Sequence, residues 1–281
     1  MNAEVFSPHP KNKAMKSKLL LLKVLSLLFY FDSISQRLVL NDSLTLSEPR
    51  KYLFFESNYG DSILYYQGFS VIYSYEYNLP KYLFSKLTPY QLLLDSIHTQ
   101  ARRKNIYLPA ELPNGSSTAT NADYYKSGYD RGHMVPAGDF VWDQDLKDET
   151  FTYANINPQK ASMNRGIWND LERALRDKVS GCHEEAIVVT GVIFNPDLSD
   201  VIGPNGLCVP VAFFKLAFFE ADTAMFAFLF DNTINEYDGD LTQFQVTVDL
   251  VEQITGEDFF DLMEKEEQEI LESEVIDFSK F

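Results

Sequence analysis

Apolar residues in this chain come in short blocks divided by polar turns, and the spacing within each block predicts its element. Residues 69–77 (FSVIYSYEY) alternate well enough for a strand that ends at Asn78-Leu79-Pro80. Residues 187–194 (IVVTGVIF) and 209–219 (VPVAFFKLAFF) are nearly continuous apolar runs, which predict buried strands that neighbour each other antiparallel. Residues 223–230 and 244–248 predict two further strands, and 151–156 a short one. Thr88 and Pro89 give the cap and first position of a helix over 88–104, and a helical pattern occupies 162–178. A last helix is expected from about Gly256 into the Glu-rich tail. Residues 105–128, rich in Pro, Asn, Ser and Gly, predict a long loop of the kind that often carries function. There is no internal repeat and no long linker. The pattern is that of one α+β domain, a largely antiparallel central sheet flanked by helices.

The 281 residues suffice to bury a core, and 16 Tyr with 22 Phe favour a strand-rich interior. The N-terminus reads differently. Lys11, Lys13, Lys16 and Lys18 precede a run over 19–31 that is apolar except for Lys23 and Ser26, and Ser33-Ile34-Ser35 offers small residues for cleavage before Gln36. This three-part plan predicts a signal peptide over 1–35 and export, periplasmic or extracellular. An uncleaved membrane anchor is the alternative, and a mitochondrial presequence ranks lower because no Arg precedes Arg37. Residues 36–64 are then a polar lead-in and 65–281 the folded domain. Cys182 and Cys208 each precede a predicted strand, so in an exported protein they can pair or stay free.

The formal charge of −17 is unusual for a protein that handles nucleic acid. Its distribution changes that picture. From Glu220 to the end there are 18 acidic and 2 basic residues, whereas residues 100–180 hold 11 of each sign. The acidic end argues against electrostatic coating of DNA, but it leaves local hydrolysis open.

Two segments carry candidate chemistry: 129–140 (YDRGHMVPAGDF) and 155–172 (NINPQKASMNRGIWNDLE). A His beside an Arg and an Asp also occurs as a structural cluster, so the first segment alone decides little. At 100° per residue, however, Trp168, Leu171, Leu175 and Val179 share a helix face with Asn164. That face packs inward, where an unpaired amide costs a few kcal/mol, about 1–3 by mutational measures. Asn164 therefore needs a partner, protein or metal. Glu172, two turns on, reaches the same rim.

Together, D-R-G-H, N-x-x-P-Q and N-x-G-x-W-x-x-L-E resemble the DNA/RNA non-specific endonuclease family. This is part of the ββα-metal group and includes mitochondrial endonuclease G and bacterial secreted nucleases. Further similar blocks are 75–87, 188–194, Val209-Pro210 with Lys215, and 248–260, so the resemblance covers about residues 65–270. It implies a ββα-metal nuclease fold and DNA and RNA as substrates. It implies His133 as general base, Arg131 on phosphate, and Asn164 as the sole direct protein ligand of Mg²⁺ (or Mn²⁺ or another divalent ion). Asn155 and Glu172 match residues that order the site and the water shell of the metal, and a homodimer is compatible with the family.

The chemistry suits those roles. Imidazole accepts a proton near neutral pH, Mg²⁺ keeps several waters, and a guanidinium forks onto phosphate. The competing class is a catalytically silent nuclease-fold binding protein, against which the intact His133, Arg131 and Asn164 set speaks. A serine hydrolase using Asp139 and His133 lacks a G-x-S-x-G elbow, and a zinc site at Cys182, His183 and Cys208 lacks a fourth ligand. His98 reads as an ordinary surface or core residue. Arg102, Arg103 and Lys104 read equally as a solvated basic turn or a phosphate contact.

Overall fold

Strands form where apolar side chains are dense enough to be buried on both faces. In the computed structural model, which describes residues 61–281 apart from 98–100, 103–105, 114, 116–117, 183 and 196, β6 (Ala186–Ile193) and β9 (Ala212–Phe219) are buried at every position. Around them lie β1 (Asp61–Tyr65), β2 (Phe69–Ser74), β3 (Leu79–Leu87), β10 (Ala224–Asp231) and β11 (Gln245–Val246). The sheet order is β1-β2-β3-β6-β9-β10-β11, and every neighbouring pair is antiparallel. This is the expected α+β architecture, and β1 draws most of its residues from the stretch expected as lead-in.

The remaining elements are α1 (Pro89–Ile97), α2 (Asn121–Tyr124), β4 (Asp130–His133), α3 (Gln144–Glu149), β5 (Ile156–Gln159), α4 (Ala161–Arg165) and α5 (Ile167–Cys182). A small hairpin, β7 (Val201–Ile202) with β8 (Leu207–Cys208), precedes β9, and α6 (Val248–Thr255) and α7 (Lys265–Ser273) close the chain.

The two sheet faces have different tenants. Alternation along β9 sends Phe213, Lys215 and Phe219 to one side and Phe214 and Phe218 to the other. On the first side Trp168 of α5 meets Phe213 and Phe230 edge-on, and the terminal Phe281 packs on Phe219. On the second side Phe259 packs against Tyr82 and Phe214, and Phe260 against Phe218. Trp168, Leu171, Leu175 and Val179 are all buried, so the stripe inferred from helical spacing is the face of α5 in the core. Each such aromatic or aliphatic side chain contributes roughly 1.5–3 kcal/mol by burial.

Several boundaries differ from the sequence pattern. Asn78-Leu79-Pro80 does not end strand structure. β2 ends at Ser74, residues 75–78 form the turn with Asn78 in a left-handed conformation, and Leu79 and Pro80 already belong to β3, whose register against β2 shifts between Ile72 and Tyr73. The predicted helix over 162–178 is two helices, because the backbone at Gly166 (φ −109, ψ −114) is not helical and a Cβ there would lie 2.6 Å from the Ser162 carbonyl. Residues 151–156 hold a 3-10 turn, Tyr153–Asn155, ahead of β5. Gly256 terminates a helix instead of starting one: α6 is capped by Thr247 on Leu250 N–H and ends at Gly256 in the left-handed region. The loop over 105–128 contains α2 and a bridge between Leu108 and Thr152.

Cys182 and Cys208 are both free thiols. The predicted signal peptide, most of the lead-in, His98, Arg103 and Lys104 lie outside the described residues. Among the described residues no helix is long and apolar enough to cross a membrane.

Candidate active site

The D-R-G-H motif is itself a strand. β4 pairs antiparallel with β5, placing Asp130 opposite Gln159, Arg131 opposite Pro158, Gly132 opposite Asn157 and His133 opposite Ile156. Gly132 suits this contact, since a Cβ would lie 2.7 Å from the Cβ of the fully buried Gln159. The period of two sends Arg131 and His133 to one face of the ribbon and Asp130 to the other.

Arg131 is held in an aromatic setting. Its guanidinium carbon lies 5.2 Å from the Tyr124 ring centroid and 5.4 Å from that of Tyr107. Its Nε donates to Tyr153 Oη at 3.3 Å, and Nη2 approaches the Asn121 carbonyl at 3.5 Å. The His133 ring stands edge-on to Phe151 at 5.0 Å and tilted to Tyr107 at 5.9 Å. Tyr107 and Tyr124 come from the long polar stretch before the motif, which thus walls the site.

The chain leaving His133 is fixed from below. Asn155 is completely buried: its Oδ1 accepts from Val135 N–H at 2.8 Å, while Nδ2 donates to the Val135 and Thr150 carbonyls at 2.9 and 3.0 Å. Trp168 Nε1 approaches the His133 carbonyl at 3.4 Å. Lys215 Nζ donates to the Met134 carbonyl at 3.2 Å and to Thr190 Oγ1 at 2.8 Å.

On the other side of the motif, Asp130 Oδ2 accepts from Asn164 Nδ2 at 2.9 Å. Arg165 grips the same carboxylate with two hydrogen bonds, Nε to Oδ2 at 2.7 Å and Nη2 to Oδ1 at 2.6 Å. Partial burial works against the Asp130 charge, but the Arg165 and Asn164 hydrogen bonds outweigh it and hold the carboxyl below its usual range. Asn164 is half-buried on a separate short helix, so its partner is Asp130 and not a continuous α5 face. With Nδ2 engaged, Oδ1 takes no hydrogen bond from any described residue.

Glu172 belongs to a charged cluster beneath the corner with Lys215, Asp139 and Arg176. Arg176 Nη1 meets Asp139 Oδ1 at 2.7 Å, which occupies Asp139 and removes the triad alternative. Burial pushes the Glu172 carboxyl up to about 7, opposed by Lys215 and assisted by Asp139. Burial likewise pushes the Lys215 ammonium down, opposed by Glu172 and Asp139. A lone Lys in the apolar run of β9 was a visible signal, because a buried cation requires partners. Arg165 and Asp130 stood inside the recognised motifs, but nothing in their spacing announced their ion pair.

The donor set at Asn164 fits a hard, hydrated divalent ion: one neutral amide oxygen with its orientation fixed, and solvent access for water and phosphate oxygens. It does not fit a caged ion. Among the described residues, the one group of three His, Cys, Asp or Glu side chains close enough to share an ion is Asp249, Glu252 and Glu272 in α6 and α7.

Comparisons with known proteins identify the family and the fold. The model of the DNA/RNA non-specific endonuclease family matches residues 47–266. Mitochondrial endonuclease G of Caenorhabditis elegans is 30% identical over 210 residues, 69% of this chain and 67% of that one. Mitochondrial nuclease EXOG of Danio rerio is 30% identical over 238 residues, 77% of this chain and 67% of that one. A chain in the crystal structure of the EndoG/EndoGI complex superposes with a TM-score of 0.62 and 27% identity, over 80% of this chain and 96% of that chain. Both relatives are mitochondrial by name, which fits the mitochondrial alternative for the N-terminal segment and lends no support to export. Matched over most of its length and sharing the nuclease fold, this chain belongs to the DNA/RNA non-specific endonuclease family.

Proposed function

We propose that this nuclease hydrolyses internal phosphodiester bonds of both DNA and RNA, with His133 as general base. The observation that carries the reading is the β4 ribbon: Arg131 and His133 share one face, and the next residue back, Asp130, holds Asn164. His133 takes the proton of the attacking water, a role that imidazole fills near neutral pH. Arg131, already pinned by Tyr153 and flanked by Tyr107 and Tyr124, presents its fork to the phosphate oxygens and stabilises the charge that develops there. Asn164 Oδ1 would be the one direct protein ligand of a divalent ion, with Mg²⁺ our choice and Mn²⁺ an acceptable substitute. When bound, that ion supplies charge relief at the scissile phosphate and the departing 3′ oxygen. Glu172 acts from the charged cluster beneath the corner, where it faces Lys215, whose ammonium holds the Met134 carbonyl, and Asn155 fixes the backbone that carries His133. Contacts to backbone phosphate, not to base edges, explain indifference to sequence and sugar.

The catalytic domain in this reading includes β1, and so starts at or before residue 61 where 65 was expected, and residues 1–35 are a targeting segment. Sequencing the N-terminus of the mature protein and fractionating cells distinguish a mitochondrial from an exported destination.

The deciding experiment incubates the purified protein with supercoiled plasmid and with RNA, in Mg²⁺ or in chelator. Nicking followed by degradation of both polymers is expected, abolished by chelator and reduced about 10²–10⁴-fold by His133→Ala. Failure of the wild type to cleave either polymer with Mg²⁺, Mn²⁺ or Co²⁺ rejects the proposal in favour of a silent nuclease-fold binding protein.

A further inference from the structure

Three hydrogen bonds converge on the Asp130 carboxylate, two from Arg165 and one from Asn164. An aspartate hydrogen-bonded to the amide that holds a hydrated divalent ion is itself a stronger ligand for that ion, because it adds a full negative charge and a hard oxygen. Capture of the carboxylate would cancel part of the metal charge that the scissile phosphate needs. Something has to keep Asp130 in place.

We infer that Arg165 is a positioning residue that reserves Asp130 for orienting Asn164 and keeps the carboxylate out of the coordination sphere of the metal. The inference rests on Asn164 being the metal ligand. The geometry is that of a guard: Arg165 covers both carboxylate oxygens at once with a planar fork of fixed geometry, and it cannot lose its charge. Its side chain is 72% exposed against 18% for Asp130, so it packs little and contributes little to the fold as an ion pair. Its effect is on what Asp130 can do. Arg165 sits immediately after Asn164 on α4, so ligand and guard are placed by the same turn of helix.

The sign of the consequence is unusual. Removing Arg165 tightens metal binding and slows the reaction, whereas loss of a simple scaffold contact weakens both. The test measures Mn²⁺ binding to the full-length protein by electron paramagnetic resonance, without nucleic acid, alongside plasmid-nicking kinetics. Arg165→Gln is expected to bind Mn²⁺ about tenfold more tightly, since ligand charge sets such affinities, with a lower kcat and an unchanged circular dichroism spectrum. Adding Asp130→Asn to Arg165→Gln is expected to abolish the tightening, and Arg165→Lys to fall between wild type and Arg165→Gln. If Asn164→Ala binds Mn²⁺ as wild type does, the metal-ligand reading fails and takes this inference with it. If Asn164→Ala loses binding while Arg165→Gln binds no more tightly than wild type, this inference alone fails. Tightening that survives Asp130→Asn also overturns it.

Discussion

Asp130 Oδ2 and Asn164 Nδ2 are hydrogen-bonded at 2.9 Å, and this contact fixes which end of the amide is free. A carboxylate accepts and never donates when ionised, so it selects the NH₂ end and leaves Oδ1 for another partner. Asp130→Ala is therefore expected to randomise the amide flip and lower Mg²⁺-dependent cleavage about 10–100-fold, the usual cost of losing an outer-shell partner. The half-saturating Mg²⁺ concentration should rise with it. A Mg²⁺ titration of plasmid nicking checks this, and an unchanged midpoint would mean that the contact does not preset Asn164.

A second prediction concerns Asn155, which touches no solvent. All of its side-chain hydrogen bonds serve the backbone at Val135 and Thr150. Asn155→Ala leaves one buried N–H and two buried carbonyls unpaired, at about 1–3 kcal/mol each before relaxation or entry of water. Urea unfolding should show a loss of at least about 2 kcal/mol. Cleavage should fall as well, through misplacement of His133, whose following residues Asn155 clamps. Wild-type stability in Asn155→Ala would show that water replaces the amide without cost.

These effects show which parts of the molecule could be read from its sequence. The strands near 187–194, 209–219 and 223–230 were legible because residues buried on both faces leave an apolar run that turns bound at each end. β4 was not, since Asp130-Arg131-Gly132-His133 has no apolar alternation and is a strand only through its pairing with β5. Val248, Val251 and Ile254 carry a helical period, but the block is short and follows a strand-like Phe244–Val246 stretch, which hid α6. For the site, Arg131 and His133 on one face follow directly from strand alternation once the strand is known. Helical spacing places Asn164 inward only if residues 162–178 are one continuous helix, which Gly166 breaks. The amide does have a partner, but it comes from β4, thirty-four residues earlier in the chain.

Lys215 gives a third prediction. It is 1% exposed, and its ammonium bridges Met134 and Thr190 with its charge set against Glu172 and Asp139. Lys215→Met fills the space but leaves two carboxylates facing Arg176 alone. Removing one partner of a buried charge set costs about 3–5 kcal/mol, so a loss of that size is expected in denaturant unfolding. Lys215→Met with Glu172→Gln should lose less than the two single changes added together, because the second removes the charge that the first strands. Strict additivity would mean that the two groups do not interact.

The last prediction is a pH dependence located in the C-terminal helices. Burial, followed by the Glu252 charge, pushes the Glu272 carboxyl up to about 9, and burial, with Asp258 and Asp249 adding, pushes Glu252 up to about 7. Gln268 Nε2 bonds Glu272 Oε1 at 3.2 Å and Asp258 Oδ1 at 2.6 Å, and Phe259 N–H bonds Glu252 Oε1 at 2.6 Å, so the pair is supported by neutral donors. Both carboxyls bind protons more tightly folded than unfolded. Their contribution to stability is therefore fully present below the ordinary glutamate value near 4.5 and is lost as pH rises toward about 9. Glu272→Gln removes the larger share of that titration while keeping an acceptor for Gln268. Its melting temperature should match wild type near pH 5 and exceed it increasingly toward pH 9. A difference between the two proteins that stays flat from pH 5 to 9 would show that Glu272 is ionised throughout. A difference that grows with pH locates the alkaline sensitivity of the chain at the junction of α6 and α7.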